Sequence, residues 1–469
     1  MSAGERFNMS RVVLVNLASL PMAGNEPIFP IGVRCVQDAL DRAGHETLLV
    51  DFVQTPDQLT SFEWLDRDWD VIGFTIRNID PIEIACDTHV DNYVSFVQRV
   101  REELSRRAQD PVLIGGGPGF SLFAGTLVER LGLDAGVIGP GEQVMLDIAR
   151  HPGSFRGRSL VLQGRRHAEF LTDVLHHPPL LMGAYSDSHK AMIGVETRRK
   201  TCYQGCAYCP YAYIDGDNSG DLKPMDVLAD EIRGIHRAGY RRVFFTDGIF
   251  NSELRYAKEV VRLVHELRLE GLTWSAYFTP KPFDDEFAGL LTDSGVENVV
   301  VSPDSLDDEV MANLGKSFRT RHVSRFLDRS RRHSLPVRVN VVFGGPGETR
   351  ETARNSARFI NDNLEDDELV MHVGYRILPG TGLSRQVRMA ESSLLYPTYY
   401  PFDLGVFHWV IQDLDSRFVT PQLMMNLLAG RTAARRMLEV EGTADTAPPP
   451  GTTFIALTSA SEASRGGCG

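Results

Sequence analysis

Three thiols stand together in TCYQGCAYCPYAY (Thr201–Tyr213), at Cys202, Cys206 and Cys209, spaced C-x3-C-x2-C. They are half of the six cysteines in a chain of 469 residues. Thiolates gathered this closely bind metal. A structural zinc ion needs a fourth protein ligand, and His189 and His236 lack the local spacing to supply it. A [4Fe-4S] cluster held by three thiolates keeps one iron open for a small molecule. The aromatics Tyr203, Tyr208, Tyr211 and Tyr213 around the loop would shield such a cluster from solvent. The other cysteines read differently: Cys35 as core on an apolar helix face, Cys86 as a structural or chance thiol, Cys468 as an incidental one.

The elements that must position the loop alternate regularly. AMIGVETRRK (191–200) runs as a strand into the first cysteine. Helix and strand signals then follow through RRVFFTDGIFN, LTWSAYFTP, VENVVVSPDS, LPVRVNVVFGGPGE and ELVMHVGYRILPGTG. Six strands, the first five each followed by a helical segment, predict an open or closed β/α barrel with its chemistry at the strand carboxyl ends. Tyr277, Tyr375 and Arg376 fall near such ends and are candidate substrate contacts.

Upstream, RVVLVNL, FPIGVRCVQDALDRAGHE and TLLVDF read as strand, helix and strand, the start of a parallel doubly wound sheet. WDVIGFTI and PVLIGGGPG add strands, and DAGVIGPGEQ repeats the pattern. Ligands of such sheets bind beyond the carboxyl ends of the strands. Arg77, Asn78, Gly115, Gly116 and Gly117 fall there, followed by Gly139, Gly141 and Glu142. The glycines do not match G-x-G-x-x-G with its helix and acidic ribose ligand, which argues against a nicotinamide site.

Composition fits a soluble enzyme of two or three domains. Hydrophobic residues make up 42% of the chain and the formal net charge is -13, which argues against nucleic acid as a partner. No run is long and apolar enough for a membrane span, and sparse cysteines indicate a reducing, cytoplasmic setting. The predicted organisation is a Rossmann-like domain over 8–150, a linker over 151–188, a partial β/α barrel over 189–385, a helical cap over 386–442 and a flexible tail over 443–469. In the cap, His408 and Trp409 read mainly as an aromatic seam.

CYQGCAYC resembles the cluster loop of the radical S-adenosylmethionine (SAM) enzymes, including the aromatic, Tyr208, immediately before the last cysteine. The resemblance continues through 191–383. FTDGIFN is similar to the family's second-strand segment and puts Asp247 near SAM. VVSPDSLDDEVM is similar to a G-x-E-S-x-x-D-E-V-L segment, with Asp304 and Ser305 in the polar positions and Asp standing where Glu is usual. VFGGPGET is similar to the fifth-strand segment and implies Gly344, Gly345 and Pro346 as SAM contacts. The family relationship implies that the open iron holds SAM and that reduction of the cluster cleaves it to a 5'-deoxyadenosyl radical.

The first domain, over roughly 11–148, resembles the cobalamin-binding domain of the B12-dependent class B branch. The D-x-H-x-x-G motif of histidine-ligated cobalamin is absent; the segment after the first strand reads NLASLPMAGNEP. The tryptophan C2-methyltransferase-like members also lack that histidine and place an arginine near the lower face of cobalt, a position that Arg77 would take. The resemblance implies a cobalamin-dependent C-methyltransferase acting on a small-molecule or peptide natural-product precursor. Methyl would pass from SAM through methylcobalamin to a substrate carbon, by a radical or a polar route. A cobalamin-containing cyclase or ring-rearranging oxidoreductase is the alternative. Methylthiolation or a non-catalytic cluster role stands behind both. An external electron donor such as flavodoxin or ferredoxin is implied, and the chain is expected to be a monomer.

Overall fold

The computed structural model describes residues 9–20, 29–53, 55–80, 88–171, 192–199, 202–214, 220–441 and 453–454. The calls on Cys86 and Cys468 lie outside them, as do most of the tail and much of the linker.

The N-terminal sheet contains β1 (Arg11–Asn16), β2 (Glu46–Val50), β3 (Val71–Thr75), β4 (Val112–Gly116), β5 (Ala135–Ile138) and β6 (Leu160–Gln163). All pair in parallel, in the order 2-1-3-4-5-6. Because strand side chains alternate between faces, β1 feeds two cores at once. Val13 and Val15 pack with Phe74 and Phe96 on one side; Val12 and Leu14 pack with Val33, Leu40 and Met145 on the other. Burial on both faces explains the unbroken apolar reading of RVVLV. The strand order reverses between β1 and β3, so a crevice opens beyond their carboxyl ends. The sixth strand comes from the stretch assigned to the linker. LVLQ is short and half-exposed at the sheet edge, which leaves little apolar signal to read.

The second sheet contains β7 (Ile193–Val195), β8 (Arg242–Phe245), β9 (Thr273–Phe278), β10 (Val296–Asp304), β11 (Val337–Phe343) and β12 (Leu369–Val373). They are parallel and lie side by side in sequence order. Alternate residues of β11 are fully buried against the outer helices, while those between them face a less covered concave side. This is the predicted partial barrel.

The two sheets share one apolar core. Phe96, Leu122 and Phe123 of the first domain cluster with Val310, Leu314, Ile377, Leu378, Leu394 and Leu395 of the second. The C-terminal helices Val406–Asp413 and Pro421–Glu441 do not line the interdomain cavity. They extend the barrel's outer core through Phe407, Val410, Leu414 and Leu427. Asn361 Nδ2 on the helix Arg350–Asn363 donates to Asp413 O at 2.9 Å. His408 is exposed and Trp409 packs at the edge of that core.

Candidate functional site

The cysteine loop is clamped between two barrel segments. Ala207 N donates to Leu314 O at 2.9 Å, and Ala207 O accepts from Leu383 N at 2.8 Å. Gln204 Oε1 accepts from Ser317 N at 3.2 Å and from Ser317 Oγ at 3.0 Å. Cys202, Cys206 and Cys209 are electrostatic neighbours. Burial raises the Cys202 thiol and pushes Cys209 up to about 11. Among the described residues no three His, Cys, Asp or Glu side chains are spaced to hold a single ion. Three thiols on one clamped loop are the donor set for an iron-sulfur cluster with one iron left open. Its assembly would displace their protons.

Beneath the loop lies a buried polar node. Asp304 ends β10 in a left-handed conformation (φ 61°), where the pairing register shifts. Its Oδ2 meets Lys316 Nζ at 2.5 Å and accepts from the Tyr208 hydroxyl. Lys316 also donates to Ser302 O at 2.9 Å and to Tyr208 Oη at 3.0 Å. Burial works against its charge, but Asp304 and Cys206 more than offset this and raise its pKa. Tyr375 packs on Tyr208 with ring centroids 5.3 Å apart. Its hydroxyl donates to Val342 O at 3.0 Å.

A second acidic group comes from the end of β8. Asp247 accepts from Thr197 Oγ1 at 2.6 Å and lies 3.8 Å from Arg198 Nε. Burial raises its carboxyl above the usual range, against the pull of Arg198 and Thr197. Thr197 is fixed in turn, because its carbonyl accepts from Tyr256 Oη at 2.9 Å.

Between the domains is a cavity of about 340 Å³, the size of a small-molecule pocket. Gly115, Gly116, Gly117, Gly139, Gly141 and Glu142 wall it from the first domain; Arg198, Cys202, Tyr211, Thr246, Asp247 and Gly248 wall it from the second. A Cβ on Gly116 would meet nothing within 4 Å and would stand in the cavity. Gly139 (φ 79°) serves a close approach, since its Cβ would lie 3.0 Å from Ile214 O in the turn after the cysteines. Glu142 Oε2 is buried without a hydrogen-bond partner, and burial raises its carboxyl. A bare glycine floor and an orphaned carboxyl oxygen fit a large, flat, amide-fringed cofactor such as a corrin.

Other candidates are placed elsewhere. Arg77 and Asn78 are exposed at the open end of β3 and are not among the cavity walls. Surrounding protein lowers the pKa of Arg77, and the phenols of Tyr211 and Tyr277 oppose that shift. Tyr277 is 44% exposed and makes an edge contact with Phe244. Arg77 of the first domain is thus an electrostatic neighbour of Tyr211 and Tyr277 of the second.

Arg376 does not reach the cavity. It is buried, with Nε 3.0 Å from Asp80 Oδ2, and donates to Ile377 O at 2.6 Å and Leu394 O at 2.7 Å. Tyr375 is likewise enclosed. Ser305 turns away towards the helix Arg350–Asn363, with Oγ 3.4 Å from Ser356 Oγ. Gly344 and Gly345 are buried, and Cβ atoms there would lie 2.9 Å from Phe402 and Tyr375. Pro346 O accepts from Asn313 Nδ2 at 3.2 Å. Packing accounts for these three positions as described.

The residues missed from sequence are Thr197, Arg198, Gln204 and Lys316. Thr197 meets Asp247 50 positions on, Lys316 meets Tyr208 108 positions back and Gln204 meets Ser317 113 positions on, so no local pattern marks them.

Residues 200–360 match the model of the radical SAM superfamily, and residues 25–149 match that of the B12 binding domain. A tryptophan 2-C-methyltransferase of Streptomyces laurentii is 24% identical over 460 residues, covering 80% of this chain and 74% of that one. The fold is similar to the radical SAM methyltransferase TsrM from Kitasatospora setae, solved with tryptophan and a SAM analogue. The TM-score is 0.67 at 23% identity, over 81% of this chain and 76% of that one. It is also similar to the cobalamin-dependent SAM radical enzyme OxsB with aqua-cobalamin bound, with a TM-score of 0.63 at 14% identity, over 94% and 70%.

Proposed function

We propose that this B12-binding radical SAM protein is a cobalamin-dependent C-methyltransferase that moves a methyl group from SAM to a carbon of a small organic substrate. The observation that carries the reading is the single cavity walled by both domains. Its glycine floor belongs to the B12-binding sheet, and its opposite wall includes Cys202 and Asp247 from the radical SAM sheet. A methyl relay needs its donor and carrier within one dry space.

When bound, cobalamin supplies the methyl carrier, and a cluster on Cys202, Cys206 and Cys209 supplies an open iron that seats SAM. The chain's own groups do the positioning. Asp247, fixed by Thr197 and Arg198, presents a buried carboxyl to polar hydrogens of SAM. Asp304 has one oxygen committed to Lys316 and Tyr208 and would stand on the SAM side from the family motif alone, since it is not among the cavity walls. Glu142, whose buried Oε2 has no partner in the protein, would face the cofactor's amide fringe. From the family motifs alone, Gly344, Gly345 and Pro346 would lie on the SAM side and Arg77 beside cobalamin; none of the four is among the cavity walls. Tyr211 on the cavity wall and the exposed Tyr277 are the aromatic rings that a flat substrate would meet. An external one-electron donor of flavodoxin or ferredoxin type completes the system.

Tryptophan is the first substrate to test, because it is the substrate in the name of the Streptomyces relative. The protein is reconstituted anaerobically with iron, sulfide and cobalamin, and supplied with methyl-deuterated SAM and tryptophan or other indoles. Label in an organic product is expected. A fully loaded protein that cyclises or rearranges its substrate without taking up label would overturn the methyltransferase reading in favour of the cyclase. Among the described residues no helix is long and apolar enough to cross a membrane.

A further inference from the structure

We infer that a small acidic one-electron carrier protein docks on the outer face of the barrel beside the cysteine loop, against a basic rim of Lys281, Arg319, Arg321 and Arg325. It rests on the proposed function, in that the three cysteines hold a cluster that must be reduced from outside. Cys202 has two sides. It walls the interdomain cavity, and it also walls a separate recess of about 180 Å³ together with Arg198, Tyr203 and Ser252. None of the glycines of the cofactor floor lines that recess, so a partner there reaches the cysteine loop without crossing the cofactor site. Tyr203 in its wall is half-exposed. Gly205 is exposed as well, and a Cβ there would meet nothing within 4 Å.

Hydrogen bonds tie the rim to the loop. Tyr203 Oη donates to Lys281 O at 3.3 Å. Gln204 holds Ser317, two residues before Arg319, whose Nη1 donates to Lys316 O and Phe318 O at 2.8 Å each. The two sides of the rim then meet. Phe283 packs on Phe326 with ring centroids 4.7 Å apart, and its carbonyl accepts from Arg329 Nη1 at 2.6 Å. Lys281 precedes the first ring by two residues and Arg325 precedes the second by one. Arg321 and Arg325 lie about one turn apart on the helix Thr320–Arg332, both exposed.

The charge of this face is concentrated and unspent. Further along the same helix, Arg329, Arg331 and Arg332 pair with Asp285 and Glu368. No ion pair among the described residues engages Lys281, Arg321 or Arg325. The helix has no acidic residue in its first turn, so these cations stand where its dipole already favours an anion. His322 registers them: burial lowers its pKa first, and Arg321, Lys281 and Arg325 lower it further. Two carboxylates border the face, Asp308, whose Oδ1 accepts from Thr320 N at 2.8 Å, and Glu253 in the recess. The chain as a whole carries a formal charge of -13, so an acidic protein is repelled elsewhere and steered to this face. Electron-transfer encounters use small, transient interfaces. The step moves one electron and no atoms: the carrier is oxidised by one, and the cluster is reduced by one.

The test uses the full chain, reconstituted anaerobically with iron and sulfide, and a flavodoxin as the carrier. Wild type is compared with the triple variant Lys281→Glu, Arg321→Glu, Arg325→Glu, whose exposed positions leave fold and iron content unchanged. Stopped-flow reduction of the cluster by reduced flavodoxin is expected to slow about tenfold or more in the variant at low ionic strength. Wild type should slow in the same sense as salt is raised. A small reductant, photoreduced deazaflavin, should reduce both proteins at the same rate. Calorimetric titration with oxidised flavodoxin, which needs no cluster, is expected to show affinity weakened by a similar factor. Equal rates and equal affinities in the two proteins, or no binding by wild type, would overturn the assignment. So would an RNA that binds wild type but not the variant while flavodoxin binding stays the same. A wild type that takes up no iron, yet still binds flavodoxin through the rim, would instead sink the cluster reading.

Discussion

Arg376 on the barrel side and Asp80 on the side of the N-terminal sheet meet at 3.0 Å, with side chains 1% and 2% exposed. The pair joins residues 296 positions apart and serves as the polar anchor of the domain interface. Arg376 reads from sequence as a substrate contact, because a cation after a strand end in a barrel usually faces the mouth. Here the chain turns so that the guanidinium caps Ile377 O and Leu394 O.

Breaking such a pair from one side leaves a buried charge without compensation, at a cost of about 3–5 kcal/mol. Arg376→Ala is expected to lower the thermal midpoint sharply. The double replacement Arg376→Met with Asp80→Leu should recover much of the loss. Calorimetry on the three proteins checks this, and a fully stable Arg376→Ala would show that the pair does not anchor the interface.

Gly116 is the floor position where added atoms enter the cavity without touching protein. Gly116→Leu should therefore leave the fold and the cluster intact while weakening cobalamin binding at least tenfold, about 1.4 kcal/mol. Optical titration with cobalamin measures the loss, and iron content serves as the control. Equal affinity in both proteins would place the cofactor elsewhere.

Glu348 supplies a pH prediction. Burial raises its carboxyl to about 7, against hydrogen bonds from Thr352 and the Gly344 backbone; Oε2 has no partner. The folded chain therefore holds a proton that the unfolded chain gives up near pH 4.5. The associated stability is present below that value and is lost as pH rises through about 7. Glu348→Gln escapes this loss. Its thermal midpoint should match wild type near pH 4 and exceed it at pH 8, by an energy on the order of 3 kcal/mol at most. A gap that does not change with pH would refute the assignment.

Sequence spacing exposes whatever depends on neighbours along the chain. The cysteine loop spans eight residues, and the strand and helix periods repeat without interruption, so the cluster motif and both sheets are legible. Arg77 and Tyr277 are also picked out, but neither is among the cavity walls. Ser305 and Lys316 show the limit. A serine after Asp304 looks like a ligand from its motif, yet a local turn directs it to Ser356. Lys316 looks like a surface lysine in LGKSF, yet it is enclosed by Ser302, Asp304 and Tyr208. Direction of a side chain at a strand end depends on which element packs behind it, and that element is distant in sequence.

The core that Phe96 and Phe123 share with Leu314 and Leu395 makes the two domains a welded joint rather than a hinge. Parting them would return a continuous apolar face to water, at about 25 cal/mol for each Å² exposed. A cofactor too bulky for the mouth would then have its easiest entry before the weld sets, while the chain is still folding. Cobalamin supplied during synthesis should occupy more chains than cobalamin added to the finished protein, as absorbance per chain after both treatments would report. Equal occupancy would mean that the joint opens after all.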